Sequence, residues 1–488
     1  MAFTTNTFLF FFFPISVLLY FLFYRKMTQK KSSLLGNLIL VVLSIIFYAW
    51  AIAIDALKLI LYVILLYCIG RTIESLKKKH SISEKNKYNS AKWLTAAGVV
   101  LAIGLLYYFK YSSTVTSQIA GLFSVDTSAL ANITAPLGIS FLTFSTISYY
   151  VDIYRGDATA GSLLDCLTYI FFFPKVISGP IVLWKEFQPQ LHDRRIDSDA
   201  FVMGMNRIAI GFGKKLILAD TLGSALAANL TACVDTPTAW LCWLAYGLQI
   251  YYDFSGYSDI AIGLAKIFGF QFHENFNFPY RSLSVAEFWR RWHISLGSFF
   301  KNYIYIPLGG NRKGKTRTLI NLGVVFLVTG LWHGVGIGYV LWGAIHGACV
   351  IIERLISDQK WYKKIPSLIK WAVTFFIVTT TWQVFRYSGD LHAAAASAAH
   401  LFGIHSYTAE QILFPWQYYI NTKVLVLMII GLIGATILGN ERIAKMYYEM
   451  KKNTVFYIIS EVVVVMILLT AVLFMSTSTY NPFIYFQF

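Results

Sequence analysis

The sequence predicts an all-helical protein that crosses a membrane many times. Of its 488 residues, 57% are hydrophobic and 13% are charged, whereas about 25% of the residues in an ordinary soluble chain are charged. The apolar residues lie in uninterrupted runs of roughly 16 to 20, the length of helix that crosses a hydrocarbon core about 30 Å thick. These observations exclude a disordered chain, a disulfide-stapled secreted domain and a soluble nucleic-acid binder.

The apolar runs give the order of the expected helices. Runs lie at about residues 7–24, 34–53, 56–70, 93–109 and 136–151 in the first part of the chain, and at about 319–332, 365–385, 423–438 and 455–475 in the last part. Between Ser162 and Gly310 the runs are interrupted by Pro, Gly and charged residues. Such backbone is tolerated at membrane depth only where it is buried in protein or lines a wet cavity. We therefore expect about eleven spanning helices, with re-entrant or interfacial helices in this middle part, which is the expected functional centre.

The basic residues orient these helices. The loop from Arg71 to Lys92 carries seven Lys or Arg and two Glu, whereas residues 111–135 and 387–422 contain no Lys or Arg. Because basic loops stay on the cytoplasmic side, residues 71–92 are expected inside and the two loops without basic residues outside. Continued alternation places both the N-terminus and the C-terminus on the extracytoplasmic side of the plasma membrane.

Two histidines lie among apolar residues. His333 ends the run 319–332 in the string Thr329 to Gly334 (TGLWHG), and His346 lies thirteen residues further on in WGAIHG. An ionisable side chain at this depth is costly and usually faces a cavity. His333 is therefore a candidate catalytic residue, whereas His346 could equally be a hydrogen-bonded packing residue between helices.

The segment Ser284 to Ser298, SVAEFWRRWHISLGS, carries Arg290, Arg291 and His293 among aromatic residues. One interpretation is a membrane-surface helix whose arginines snorkel to the interface. The other is a polar entrance lined by His293, where the guanidinium groups bind phosphate or carboxylate. The spacing alone does not separate the two interpretations.

Two carboxylates, Asp253 and Asp259, lie in the tyrosine-rich string QIYYDFSGYSD. Because they are six residues apart, they fall on different faces of a helix. We expect them to pair with the arginines or with backbone rather than to act as a proton-exchange pair. The five cysteines show no CxxC spacing, and no metal site is predicted.

Several strings together resemble the membrane-bound O-acyltransferase (MBOAT) family, within it the bacterial branch of alginate and peptidoglycan O-acetyltransferase membrane subunits. They are Pro136–Phe141, Tyr150–Gly156, Phe173–Lys175 with Ser178–Pro180, Tyr252–Asp259, Asn275–Arg281 leading into Phe288–His293, Tyr305–Asn311 and Gly330–Gly334. The resemblance covers about residues 136–347 in register. Each string alone is weak, but the set is specific.

The resemblance implies an MBOAT fold in which helices surround a central funnel. It implies that His333 is the catalytic base, since imidazole suits proton transfer at neutral pH, and that His293 is a supporting polar residue. It also implies that an acyl thioester, acetyl-CoA, enters from the cytoplasm while an acceptor arrives from outside. Trp332 would supply an apolar wall beside His333. Hypothetical substrate-binding residues are Arg290, Arg291, Trp332, Asp253, Asp259 and His346, with the arginines favouring the phosphates of acetyl-CoA.

The expected organisation is a single integral membrane domain. Its N-terminal helices span residues 1–135, its catalytic core 136–353 and its C-terminal helices 354–475, followed by an extracellular aromatic tail at 476–488. The last residues, FIYFQF, resemble the FxYxxF motif of this bacterial branch and of teichoic-acid D-alanylation, which implies Tyr485 as an acyl carrier. The alternative is that the tail is a membrane-interface anchor.

The expected function is O-acetylation of an extracellular or cell-wall polysaccharide. The expected partners are the lipid bilayer, the polysaccharide acceptor and a separate extracellular polysaccharide O-acetyltransferase or related secreted or anchored protein, with no nucleic acid. The nearest alternative is D-alanyl transfer to teichoic acid from a carrier-protein thioester, which nothing in the sequence excludes. A non-enzymatic transporter of a polysaccharide or lipid intermediate would instead need intramembrane charges along a path, and a structural scaffold would tolerate a glutamine in place of His333.

Overall fold

The structure is a computed structural model that describes residues 1–24, 29–78, 85–116, 135–194, 197–226, 235–404, 408, 412, 414–477 and 483. Every regular element within these ranges is a helix, which confirms the all-helical prediction. The described residues form two compact units, one made of residues 1–208 and 260–273 and the other of residues 209–259 and 274–488.

Six helices in the described ranges are long and apolar enough to cross a membrane: Ala53–Lys78, Asn89–Lys110, Ile337–Ile356, Ser367–Arg386, Thr422–Gly439 and Thr454–Thr477. Two shorter apolar helices lie at Phe8–Phe23 and Ser33–Ala49. The expected count of about eleven is not confirmed, because the other described helices are shorter or less apolar.

The first unit is built mainly from helices Phe8–Phe12, Phe13–Tyr24, Gln29–Ala49, Ala53–Lys78, Lys85–Lys110, Ile139–Arg155, Leu163–Phe171 and Ser198–Phe212, the last of which continues into the second unit. Two adjacent tyrosines of helix Ile139–Arg155 pack against glycines of two neighbouring helices. A Cβ atom on Gly70 would lie 2.4 Å from Tyr149 Cε1, and one on Gly98 would lie 2.7 Å from Tyr150 Cε2. These glycines therefore let the large rings fit between the helices.

The chain between helices Leu163–Phe171 and Trp184–Phe187 has no regular helix, yet residues 171–184 are all buried. This confirms that the irregular backbone predicted in the middle of the sequence is enclosed by protein. Lys175 Nζ donates a hydrogen bond to Ser145 Oγ at 3.0 Å and lies 3.9 Å from the centre of the Tyr169 ring.

The second unit contains the chain segments that carry the candidate site. Its helices include Gly213–Ala219, Asp220–Ala225, Thr236–Ile267, Val285–Arg291, Ile294–Phe300, Lys315–His333, Ile337–Ile356, Ser367–Arg386, Leu391–His400, Thr422–Thr436, Glu441–Met450 and Thr454–Thr477. Helix Thr236–Ile267 begins in this unit and ends in the first.

A tight helical hairpin positions His333. Its two helices, Lys315–His333 and Ile337–Ile356, cross where glycine allows the backbones to touch. A Cβ atom on Gly343 would lie 2.4 Å from the carbonyl oxygen of Phe326, and one on Gly330 would lie 2.4 Å from that of Tyr339. The hairpin therefore fixes His333 at the C-terminal end of its first helix.

Candidate active site

His333 is buried in a box of aromatic rings and is 3% exposed. Its ring centre lies 4.7 Å from that of Trp332, 5.2 Å from Trp342 and 5.0 Å from Phe385. The Trp342 and Phe385 rings meet it edge to face, at 86° and 83°. The histidine that the sequence singled out thus lies in a dry, apolar environment, where proton transfer and hydrogen bonding are not weakened by water.

His346 also contacts Trp342, with ring centres 5.1 Å apart. Trp289 Nε1 donates to His346 Nδ1 at 3.2 Å, and His346 Nε2 lies 2.9 Å from Thr381 Oγ1. An indole N–H only donates, so Nδ1 accepts and the proton of the neutral ring is on Nε2. Because protein groups use both nitrogens, we assign His346 to the packing of the helices, the second of the two sequence interpretations.

His293 is 1% exposed and lies between helices Val285–Arg291 and Ile294–Phe300, outside the candidate spanning helices. Its Nδ1 atom lies 3.1 Å from Asn275 Oδ1, and its ring meets that of Phe254 edge to face at 4.7 Å. Burial lowers the pKa of His293 to about 3, so its imidazole is neutral at physiological pH.

The backbone at His293 adopts an uncommon conformation. Its φ of +45° is in the left-handed region, which costs a non-glycine residue about 1–2 kcal/mol. Hydrogen bonds from Ile294 N to the Asn275 carbonyl oxygen, at 2.9 Å, and from Ser295 N to Asn275 Oδ1, at 3.1 Å, hold the turn. The surroundings therefore impose this conformation on His293.

Four tryptophans connect the surroundings of the two catalytic candidates. Trp342, beside His333, lies 5.5 Å from both Trp289 and Trp382, and Trp382 lies 4.9 Å from Trp292, the residue before His293. We call Trp289, Trp292, Trp342 and Trp382 the tryptophan cluster. It brings the strings that carry His293 and His333 into one packed region, which hydropathy alone did not predict.

The two arginines have different environments. Arg291 Nε donates to Glu287 Oε1 at 2.8 Å, and its NH1 group donates to the carbonyl oxygen of Asn277 at 3.2 Å. The side chain of Arg290 is exposed. Arg290 is therefore the better placed of the two for an external anion, and phosphate binding by either remains a prediction.

Lysines lie beside both Asp253 and Asp259, for which the sequence predicted arginines or backbone as partners. Lys215 Nζ lies 2.6 Å from Asp253 Oδ1 and 2.7 Å from Asp220 Oδ1, and Lys214 Nζ lies 2.6 Å from Asp259 Oδ2. Neighbouring lysines project about 100° apart on a helix and can therefore reach carboxylates on two faces. Two lysines inside the apolar run before Asp220 were the missed signal.

A close helix crossing places the lysines. A Cβ atom on Gly256 would lie 2.8 Å from the carbonyl oxygen of Gly211 and 3.0 Å from Lys215 N. Helix Thr236–Ile267, which carries both aspartates, thus contacts the segment that carries both lysines. That segment is π-helical over Gly213–Ala219. We call Lys215, Asp220 and Asp253 the charged triad.

One residue of the aromatic tail is described, and it lies near His293. Phe483 is 3% exposed and stacks on Tyr257, with ring centres 4.6 Å apart and planes at 16°. Its ring centre is 5.6 Å from that of Phe254, the ring that touches His293. Tyr485, the predicted acyl carrier, lies outside the described residues.

The described part of the chain contains no group of three or more His, Cys, Asp or Glu side chains that could hold a metal ion.

Comparison with known proteins identifies the relationships of this chain. The sequence model of the MBOAT, membrane-bound O-acyltransferase family, matches residues 2–389. The chain is 36% identical over 509 aligned residues to the probable alginate O-acetylase AlgI of Pseudomonas putida, with 100% of both chains covered. It is 31% identical to the peptidoglycan O-acetyltransferase of Helicobacter pylori, covering 79% of this chain and 77% of that protein. It is 30% identical to the teichoic acid D-alanyltransferase of Bacillus subtilis, covering 51% of this chain and 66% of that one.

Proposed function

Because the chain belongs to the membrane-bound O-acyltransferase family, and is thus an acyltransferase, we propose that it moves an acetyl group from cytoplasmic acetyl-CoA across the membrane. The acetyl group serves the O-acetylation of an extracellular or cell-wall polysaccharide. The observation that carries the proposal is His333, a histidine buried among aromatic rings at the end of a glycine-packed hairpin.

In the proposed reaction His333 is the general base. An acceptor hydroxyl attacks the thioester carbonyl carbon as His333 takes its proton, and the C–S bond of the tetrahedral intermediate then breaks. The thiolate leaves and receives the proton, so the products are an acetyl ester and free CoA. A positioned base of this kind is typically worth 10² to 10⁴ in rate.

The comparisons favour acetyl over D-alanyl transfer. The relative named for alginate O-acetylation aligns with the whole of this chain, whereas the relative named for teichoic acid D-alanylation aligns with 51% of it. The basic residues Arg290, Arg312 and Lys315 would suit the phosphates of CoA. Acetyl-CoA is therefore the proposed donor, and a carrier-protein thioester is the alternative.

The position of Phe483 supports a relay through the tail. Phe483, which precedes Tyr485 by two residues in the sequence, packs on Tyr257 and Phe254, and the Phe254 ring contacts His293. In the proposed relay the Tyr485 hydroxyl is the first acceptor. A separate extracellular transferase then moves the acetyl group from the tyrosine ester to a polysaccharide hydroxyl.

Replacing Tyr485 with Phe is expected to remove acetyl label from the intact chain while acetyl-CoA hydrolysis continues, because the ring remains and only the accepting hydroxyl is lost. The measurement is radiolabel on the purified chain after incubation of membranes with labelled acetyl-CoA. Tyr480→Phe, which removes a hydroxyl elsewhere in the same tail, is the matched control and should retain the label. Equal labelling of Tyr485→Phe and the intact protein would assign the tail to anchoring.

The donor is tested by supplying membranes that contain the intact protein with either labelled acetyl-CoA or a labelled D-alanyl carrier-protein thioester. The proposal expects label to leave acetyl-CoA much faster than in membranes without the protein, and no use of the carrier thioester. Use of the carrier thioester alone would replace the acetyl proposal with the D-alanyl alternative.

A further inference from the structure

Asn275 is the centre of the hydrogen bonds around His293. Its Oδ1 atom accepts from Ser295 N at 3.1 Å and from Ser295 Oγ at 2.9 Å, and it lies 3.1 Å from His293 Nδ1. Its Nδ2 atom donates to Ser258 Oγ at 3.0 Å. Its carbonyl oxygen accepts from Ile294 N, so one residue holds both the turn and the ring of His293.

This network determines which nitrogen of His293 carries the proton. A backbone N–H can only donate, so the Asn275 atom that receives Ser295 N must be the amide oxygen. That oxygen cannot donate, and the Ser295 hydroxyl, 3.4 Å from His293 Nδ1, donates to the same oxygen at 2.9 Å. The hydrogen between His293 Nδ1 and Asn275 Oδ1 is therefore carried by Nδ1. In a neutral imidazole the other nitrogen, Nε2, then carries the lone pair.

We propose that Asn275 is a positioning residue that fixes His293 as its Nδ1–H tautomer, so that His293 serves the reaction as a hydrogen-bond acceptor through Nε2. It cannot, in this form, donate to the thioester oxygen. The expected kinetic effect rests on the proposed function, whereas the assignment of the tautomer does not.

The charged groups on the surrounding elements are already engaged with one another. Asp253 and Asp259 are paired with lysines, and Arg291 with Glu287. Arg290 and Glu274 are exposed, and the phenol of Tyr257 lies under Phe483. Asn275 is thus the residue through which the protonation of His293 can be changed most directly.

Two substitutions separate positioning from simple packing. Asn275→Leu removes the acceptor for Nδ1–H, and we expect a fall of about tenfold or more in kcat with little change in KM. Asn275→Asp keeps an acceptor but adds a negative charge, which favours protonated His293. Its activity should approach the intact level at high pH and fall, as the pH is lowered, at a higher pH than in the intact protein.

Asn321→Leu and Asn321→Asp are the matched controls, because Asn321 is equally buried but donates to the carbonyl oxygen of Gly310, whereas Asn275 accepts from His293. They should leave the pH profile unshifted. An independent readout is the ¹⁵N spectrum of histidine-labelled protein in liposomes, in which the signal lost in His293→Gln must show Nδ1 protonated. An Nε2–H signal, or an unshifted pH profile for Asn275→Asp, would overturn the inference. If the intact protein uses no thioester, the proposed function fails while the spectrum still tests the tautomer.

A second observation concerns a hydrogen-bond donor to the thioester oxygen, a role that His293 cannot fill in this tautomer. The indole of Trp342 is 1% exposed, its ring lies beside His333, and its Nε1–H has no hydrogen-bond partner among the described residues. A buried hydrogen-bond donor without a partner destabilises a fold, so a functional role would explain why an indole occupies this position. We infer that Trp342 is a catalytic residue whose N–H donates to the thioester carbonyl oxygen as negative charge develops there.

Trp342→Phe tests this inference because it keeps a ring and removes the N–H. We expect kcat to fall by about 10²-fold, the usual effect of losing one oxyanion donor, with a loss of thermal stability no larger than that of the control below, because both variants replace a buried indole with a smaller ring. Trp382→Phe is the control, since Trp382 Nε1 already donates to Tyr280 Oη at 3.1 Å. That variant should lose stability and keep most of its activity. Full activity in Trp342→Phe would overturn the inference.

Discussion

Replacing His333 with Ala is expected to lower the rate of acetyl transfer at saturating acetyl-CoA by 10² to 10⁴, the range that a general base supplies. His333→Gln should be equally inactive, because an amide can hydrogen-bond but cannot take the proton of a hydroxyl. The measurement is the initial rate of labelled acetyl transfer in membranes with matched amounts of folded protein. Comparing His333→Gln with the intact protein distinguishes loss of a catalytic base from loss of a side chain that only packs or hydrogen-bonds.

His346→Gln is the control for this prediction. His346 is buried and also contacts Trp342, but its two nitrogens are hydrogen-bonded to Trp289 and Thr381. We expect this variant to retain activity within a few-fold, with any loss traced to lower stability. If His333→Gln kept the full rate, the assignment of His333 as base would be wrong and a structural role would be indicated.

Lys215→Met is expected to give the largest loss of stability, about 3–5 kcal/mol in the free energy of unfolding. Lys215 is 4% exposed and is bound to both carboxylates of the charged triad. Removing it would leave Asp220 and Asp253 close together in a buried site without their cation. The measurement is the unfolding transition of the detergent-solubilised protein, followed together with the yield of folded protein from membranes.

Two further variants check the cause of that loss. Lys214→Met removes a more exposed cation that is bound to Asp259, and should cost less. Combining Lys215→Met with Asp253→Asn should recover part of the loss, because one uncompensated charge is then removed as well. Equal stability of Lys215→Met and the intact protein would show that the three side chains of the charged triad are not all ionised.

The all-helical fold of this chain could be predicted from its apolar runs. Long apolar runs such as 93–109 and 455–475 lie inside helices Lys85–Lys110 and Thr454–Thr477, since hydropathy alone decides such segments. The irregular stretch at 171–184 was expected to be enclosed, because Pro and Gly interrupt its apolar residues. The expected count of about eleven spanning helices is not confirmed, because interrupted runs do not reveal where one helix ends and the next begins.

The site was predictable where a single residue carried the signal. His333 stood out because an ionisable group rarely occurs between Trp and Gly at the end of an apolar run. The partners of Asp253 and Asp259 were not predictable, since they depend on a helix crossing at Gly256 that spacing does not reveal. Asn275 and Trp342 escaped notice for the same reason, because their importance lies in hydrogen bonds made or left unmade in three dimensions.

Sealed inside-out vesicles separate the cytoplasmic donor from the extracellular acceptor and so test transfer of the acetyl group across the membrane. Labelled acetyl-CoA is supplied to the cytoplasmic face outside the vesicles, and a polysaccharide acceptor with its extracellular transferase is enclosed in the lumen. We expect label on the enclosed acceptor with the intact protein and none with His333→Ala. Label released only on the side of acetyl-CoA, or no difference between the two proteins, would contradict the proposed transfer.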